Sequence, residues 1–161
     1  MTTLLFILLA FFMGIVLMHQ YGLFENERIT LAKEVNTLLE ALGRQIALAG
    51  RVPDLLYLES ELSVLASYGF FLTLRTTGDL SLSLARTLPE MPLPTCAKLR
   101  LSEYAEQFGQ SDREGEKRAL RQLCSELSPM LKEEIDAAAL RVRTFRVVTI
   151  ALLLSMAILF C

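Results

Sequence analysis

The sequence predicts an all-α protein, a small helical bundle between an N-terminal and a C-terminal transmembrane helix. Apolar residues recur three and four positions apart over residues 24–49 and again beyond residue 113, which is the period of an amphipathic helix. The two ends differ from this pattern, because residues 4–18 and 147–160 contain no charged side chain. Glycine, proline and capping residues stand between the periodic stretches and indicate where helices end.

Each uncharged end is predicted to be one membrane span. A span needs about 20 apolar residues, and both ends approach that length if they extend through Leu23 and back to Phe145. We therefore predict an N-terminal transmembrane helix at 1–23, a bundle at 24–144 and a C-terminal transmembrane helix at 145–161. A signal peptide would need a basic start and a small-residue cleavage site. The start, "MTT", has no Lys or Arg, so a retained anchor is favoured.

Basic residues near the predicted spans indicate which side of the membrane holds the bundle. They lie on the inner ends of the spans, at Arg28, Lys33, Arg141, Arg143 and Arg146. The positive-inside rule then predicts a cytoplasmic bundle, in which Cys96 and Cys124 are expected to stay reduced. His19, the single histidine, falls at the end of the first predicted span and is expected to be an interfacial residue.

The first half of the bundle is predicted to contain two helices. Residues 24–49 carry the helical apolar period over their length, and Gly50 is expected to end that helix. A second helix is predicted from Pro53, which is tolerated in a first turn, to Gly69.

Residues 70–88 are ambiguous from their pattern alone. The stretch "FFLTLRTTGDLSLSLARTL" alternates on both sides of a turn at Gly78-Asp79, as a β-hairpin would. The same letters also fit two short helices, with Asp79 or Ser81 capping the second. Residues 89–94, "PEMPLP", contain three prolines and are predicted to be a linker.

A helix junction is predicted within "FGQSDREGEK", residues 108–117. One helix is expected over 95–108, with Gly109 as its stop. Ser111 has Glu114 three places later, which is the spacing of a capping box, so the next helix should begin near Asp112.

The last helix is expected to continue into the second span, with a kink or a local break at Pro129. Its charged residues are either a solvated face or a docking surface for a partner. The candidates for that surface are Glu126, Glu133, Glu134 and Arg141.

Catalytic and cofactor motifs are not found in the sequence. It has no Gly-rich phosphate loop and no HExxH, and a single histidine does not supply a Ser/His/Asp set or a metal-ligand cluster. The net charge of −2 does not suggest a nucleic-acid partner. We therefore expect a protein that is not an enzyme, with no cofactor, metal or small-molecule substrate.

Residues 101–160 resemble the C-terminal part of the stage III sporulation protein AB family. That family has a Leu-Gly-x-Ser/His-Asp-x-x-x-Gln pattern before a long helix and a hydrophobic tail. Here the pattern reads Phe108-Gly109-Gln110-Ser111-Asp112, with Phe in place of Leu and without the final Gln. The family also often has a Gly-x-x-Pro-Leu element, and here Gly50-Arg51-Val52-Pro53 stands before Leu55.

The resemblance implies a fold and a function. The family is similar to the all-helical cytoplasmic domain of the platform protein of type II secretion and type IV pilus systems. Residues 70–88 would then be a helical hairpin with its turn at Gly78-Asp79. The implied function is a platform subunit of the secretion-like complex between mother cell and forespore in endospore formation. It would lie in the mother-cell outer forespore membrane, with a secretion-type ATPase and other stage III sporulation proteins as partners.

Two other functions fit the residues. One is a two-span sensor whose middle domain is extracytoplasmic, where Cys96 and Cys124 could pair. The other is an accessory subunit of an unrelated membrane complex.

Overall fold

The computed structural model describes residues 2–48 and 55–160, with side chains for residues 9–46 and 55–158. Its α-helices are α1 (Thr2–Leu48), α2 (Ser63–Ser67), α3 (Phe70–Thr77), α4 (Leu80–Thr87), α5 (Thr95–Gln107) and α6 (Arg113–Phe160), with a short 3-10 helix at Leu56–Ser60 before α2. No strand occurs in these described ranges. The predicted all-α fold class is confirmed.

The chain divides into two compact units. Unit 1 comprises Met1–Ile29 and Asp136–Cys161, and unit 2 comprises Thr30–Ile135. Both long helices, α1 and α6, contribute residues to each unit.

Unit 2 has a filled apolar core. Its cluster of buried side chains draws on every helix of the unit and includes Leu31, Leu65, Phe70, Phe71, Leu101 and Leu127, all at most 2% exposed. The rings of Phe70 and Phe71 meet edge to face with centroids 5.1 Å apart, a preferred geometry for aromatic pairs. A gap of about 10 Å³ in this core is room for a single water at most.

Residues 70–88 form a helical hairpin, as the family resemblance implied. Gly78 ends α3 with a φ of 67°, a left-handed conformation that glycine adopts without steric cost. Asp79 caps α4, since its Oδ1 accepts hydrogen bonds from the backbone N–H of Ser81 at 2.8 Å and of Leu82 at 3.4 Å. The alternation that suggested strands instead places Leu80 and Leu84 in the core and leaves Leu82 exposed.

The single helix predicted from Pro53 to Gly69 is wrong in its described part. The chain there forms the 3-10 helix Leu56–Ser60 and then the one-turn helix α2. Leu62, at the N-cap of α2, has non-helical backbone angles (φ −107°, ψ 63°) and makes no side-chain capping hydrogen bond. Gly50 and Pro53 lie outside the described residues.

Pro129 does not break the last helix. α6 runs from Arg113 to Phe160 with Pro129 inside it, although an interior proline costs a helix about 3 kcal/mol. The neighbouring side chains Leu127 and Leu131 are 0% and 2% exposed, so packing in the core offsets that cost. The predicted linker at 89–94 is non-helical, and its Met91 and Leu93 are buried.

Unit 1 is an antiparallel pair of helical segments from α1 and α6. Tyr21 packs on Phe145 with ring centroids 4.4 Å apart, and Glu25 pairs with Arg141. Residue numbers therefore rise along one segment as they fall along the other. Among the residues that the structure describes, no helix has a stretch long and apolar enough to cross a membrane.

Candidate functional site

The junction of α5 and α6 lies where the sequence predicted it. α5 ends at Gln107, and Gly109 has a φ of 81°. This left-handed conformation costs about 1–2 kcal/mol for a residue with a side chain. The N–H of Gly109 donates to Glu116 Oε1 at 2.6 Å, so a side chain from the first turn of α6 fixes the turn.

The predicted capping box of Ser111 and Glu114 is not formed. Asp112 is the N-cap, because its Oδ1 accepts a hydrogen bond from the N–H of Gly115 at 2.9 Å. Glu114 instead accepts a hydrogen bond from Lys117 Nζ at 2.9 Å, one turn along α6. That bond and the lysine charge hold the pKa of the Glu114 carboxyl below its usual value. Ser111 and Asp112 are both residue types that favour an N-cap. Because α6 begins at Arg113, Asp112 takes that position.

The absence of a side chain at Gly115 leaves room for the Asp112 carboxylate. A Cβ built at Gly115 would lie 2.7 Å from Asp112 Oδ1 and 3.0 Å from Ser111 Cβ. A larger residue would therefore displace the cap. The stretch 109–117 is thus a structural junction in which Gly109, Asp112 and Glu114 hydrogen-bond to residues of the first turns of α6.

Three of the four candidate partner-surface residues lie in unit 2. Glu126 Oε2 is 3.2 Å from Arg100 Nε, and Arg100 also pairs with Glu103 at 2.9 Å. The hydrogen bond to Glu103 and the charge of Glu126 raise the pKa of the Arg100 guanidinium. Glu133 is exposed and Glu134 is half-buried.

A shallow groove of about 160 Å³ runs between α5 and α6 beside this cluster. Its rim carries Arg100, Glu103 and Glu126, so its wall is charged with both signs. Such a surface suits a polar protein partner with complementary charges.

Arg141, the fourth candidate, is occupied within unit 1. Its Nε and Nη2 donate to Glu25 Oε1 and Oε2 at 3.2 and 3.0 Å. The Glu25 side chain is 3% exposed and that of Arg141 is 37% exposed. A bidentate pair with a buried carboxylate orients two helices, so Arg141 joins the two segments of unit 1. We therefore remove it from the candidate docking surface.

Glu34 is a second buried carboxylate that sequence reasoning missed. It is 7% exposed on α1 and accepts hydrogen bonds from the N–H groups of Val64 and Leu65 at 3.1 and 2.7 Å. The first N–H groups of a helix have no partner within the helix. Glu34 supplies those partners to α2 from about 30 residues away, which explains why α2 begins there without a local cap.

Tyr104 is buried in the bundle and Cys124 is half-buried. Burial, with the charge of Glu116 next in size, raises the pKa of the Tyr104 phenol well above its usual value. Burial, and then the charge of Glu40, also raises the pKa of the Cys124 thiol. Both groups are therefore held neutral, and a thiol of raised pKa is a poor nucleophile. Cys96 is exposed, and neither thiol forms a disulfide.

Within the described ranges, no three His, Cys, Asp or Glu side chains come together as metal ligands would. Comparisons with models of protein families, with curated proteins and with solved structures find no match to this chain. The function must therefore be argued from the residues and their geometry.

Proposed function

We propose that this chain is a non-enzymatic scaffold subunit anchored in a membrane through unit 1, with unit 2 in the cytoplasm. The observation that carries the proposal is the exposure of apolar side chains. Sixteen of the twenty large hydrophobic side chains that are exposed in the described residues belong to unit 1. Water-soluble proteins seldom expose a continuous apolar surface of that kind, whereas lipid tails cover it without cost.

The two proposed spans extend beyond the residues whose side chains the structure describes. The uncharged stretches 4–18 and 147–160 extend beyond residues 9 and 158, where the described side chains begin and end. The basic residues Arg143 and Arg146 lie on the inner side of the second stretch, which favours a cytoplasmic unit 2.

A scaffold role is supported by what unit 2 offers to other molecules. A gap in its core has room for no more than a water, and the groove beside Glu126 is shallow and charged. In the finer proposal this is the platform subunit of the mother cell–forespore complex, in the outer forespore membrane, bound to a secretion-type ATPase. That part depends on the resemblance of residues 101–160 to the stage III sporulation protein AB family.

The location of unit 2 is tested by cysteine labelling. Glu90 is exposed in the linker after α4, so Glu90→Cys is introduced with Cys96, Cys124 and Cys161 changed to Ser. Intact bacterial cells are treated with a membrane-impermeant maleimide, and the treatment is repeated after permeabilisation. Ala97→Cys, at a position with 0% exposure, is the control for an inaccessible thiol. We expect Glu90→Cys to label only after permeabilisation. Labelling of intact cells would overturn the cytoplasmic placement and favour the sensor with an extracytoplasmic domain.

The docking surface is tested by charge reversal in unit 2. Glu126→Lys and Glu133→Lys are expected to reduce co-purification of the chain with the ATPase. A partner surface that is complementary to these carboxylates would repel a lysine at either position. Glu90→Lys makes the same charge change at an exposed linker position and should not affect it. If all three variants retain the ATPase equally, the acidic face of α6 is only solvated. Arg141 is not changed in this test because it is bound to Glu25.

A further inference from the structure

We infer that a groove in unit 1 binds the phosphate of an anionic membrane phospholipid, with Arg146 as its main partner. The inference rests on the proposed membrane placement of unit 1. The groove lies between the segments of α1 and α6 and has a volume of about 780 Å³, within the usual range for ligand sites.

The middle of the groove is basic, and the end that lies within the uncharged stretches is apolar. Ile15, Met18 and Ile150 line the end that lies within the uncharged stretches. His19 and Arg146 line the middle, next to Gly22. Because the two segments are antiparallel, the apolar residues of both helices fall at the same end. A molecule with an apolar chain and an anionic head matches this order of residues.

Arg146 is the basic residue of the groove that remains available. Arg141 is bound to Glu25 through two hydrogen bonds. Arg146 is exposed, and among the described residues it has no carboxylate partner. A guanidinium donates two parallel N–H groups to a phosphate, so Arg146 can bind a lipid phosphate without breaking an existing ion pair.

Gly22 lies beside the Arg146 guanidinium. A Cβ built at Gly22 would be 4.0 Å from Arg146 Nη2, an ordinary contact distance. A longer side chain at residue 22 would occupy the space beside it. His19 lines the same part of the groove and has an imidazole N–H to offer as a second donor.

Phospholipid, rather than free phosphate, is favoured by the apolar end. Ile15 and Ile150 are 52% and 51% exposed, so this part of the groove gains stability when an acyl chain covers it. An anionic headgroup is favoured over a zwitterionic one because each basic residue near a membrane surface adds to anionic-lipid binding.

The test uses the full chain, purified in a mild detergent and reconstituted into nanodiscs. The nanodiscs contain phosphatidylcholine with a minor fraction of phosphatidylglycerol of the same acyl chains. After re-extraction, native mass spectrometry measures the ratio of the two lipids that stay bound. Arg146→Gln is compared with Arg143→Gln, an exposed arginine three residues away that does not line the groove. Gly22→Leu fills the groove and keeps all charges.

We expect the unchanged chain and Arg143→Gln to retain phosphatidylglycerol preferentially. Arg146→Gln should reduce that preference about fivefold, the effect of one basic residue at an anionic surface, and Gly22→Leu should reduce it as well. Excess inorganic phosphate should not displace the lipid, since phosphate leaves the apolar end uncovered; displacement by phosphate would identify a simple anion site and overturn the lipid assignment. Equal retention by Arg146→Gln and Arg143→Gln, or no preference in the unchanged chain, would also overturn it.

Failure of the lipid site and failure of the membrane placement give different results. A chain that enters phosphatidylcholine nanodiscs but shows no preference for phosphatidylglycerol overturns the lipid site alone. A chain that stays outside the nanodiscs, soluble without detergent, overturns the membrane placement and the lipid site together. Far-UV circular dichroism of each variant checks that its helix content is unchanged.

Discussion

The two units handle their apolar residues in opposite ways. In unit 2 the large side chains point inward, and Leu65 and Phe70 are completely buried. In unit 1 the same residue types point outward, and Leu152 and Ile158 are 62% and 78% exposed. The chain therefore buries its large apolar side chains in a core of its own in unit 2 but not in unit 1. The other unit requires a different surrounding, which is the physical basis for placing it in lipid.

The two units also differ in how they stabilise a buried acid. Glu25 and Glu34 lie nine residues apart on α1, at 2% and 7% exposure. Glu25 in unit 1 is neutralised by the arginine of the opposite segment, whereas Glu34 in unit 2 accepts two backbone N–H groups. A buried carboxylate needs one or the other. In unit 2 it begins a helix, and in unit 1 it holds two helices together.

The largest expected effect is the loss of core packing in unit 2. Phe70→Ala should lower the free energy of unfolding by about 3–5 kcal/mol, because it leaves a cavity in a filled core. Leu82→Ala, at a side chain that is 46% exposed, should cost less than about 1 kcal/mol. Urea denaturation of the full chain in detergent micelles, followed by circular dichroism, measures both. Equal losses would mean that unit 2 does not have the core described above.

The next largest effect compares a charge introduced at an exposed apolar position in each of the two units. Leu152 in unit 1 and Leu72 in unit 2 are 62% and 64% exposed. Leu152→Arg should weaken membrane association by roughly 2–3 kcal/mol, the cost of an arginine within a span. Leu72→Arg should leave it unchanged, since water already solvates that position. The fraction of protein that resists alkaline extraction from membranes is the measurement, and a similar value for the two variants would contradict the different surroundings.

Removal of the arginine from the unit 1 ion pair should have a smaller effect. Arg141→Gln leaves the Glu25 carboxylate buried without its bidentate partner, at a cost of about 1–3 kcal/mol. The double variant Glu25→Gln/Arg141→Gln should recover part of that loss, because the buried carboxylate is then replaced by a neutral amide. Arg28, whose Nη1 lies 3.6 Å from Glu25 Oε1, keeps its charge in both variants. Arg143→Gln is the control of equal charge. Thermal denaturation in micelles is the measurement, and a loss no greater than that of Arg143→Gln would show that the pair does not stabilise unit 1.

Local signals predicted much of the fold, and distant contacts account for the errors. The helical period, Gly109 and the Gly78-Asp79 turn are properties of neighbouring residues, so the sequence alone contains them. The pattern over 70–88 fitted a hairpin of strands equally well, because short stretches of alternating leucines do not distinguish strand from helix. The structure shows helices there, with Gly78 and Asp79 as the cap residues.

The missed features involve residues far apart in the sequence. Glu34 determines the start of α2 from about 30 residues away, so a local pattern could not reveal the division of the predicted second helix. Glu25 and Arg141 are 116 residues apart. A signal for that pair does exist, since Glu25 follows the first uncharged stretch and Arg141 precedes the second, and antiparallel packing of the two stretches brings them level.

The smallest effect concerns the start of α6 and the choice between two adjacent caps. Asp112→Ala removes the acceptor of the Gly115 N–H and should cost about 1 kcal/mol. Ser111→Ala, at the predicted cap, should cost less than about 0.5 kcal/mol. Hydrogen exchange, measured residue by residue, should become faster in the first turn of α6 in the Asp112 variant alone. The part of α6 in unit 1, from Asp136 onward, should keep its protection, because the loss of a cap frays one turn and the buried Leu120, Leu123 and Leu127 hold the next turns. If exchange instead rises along the whole of α6, the two units unfold together. The difference in apolar exposure between the units would then not make them independently stable.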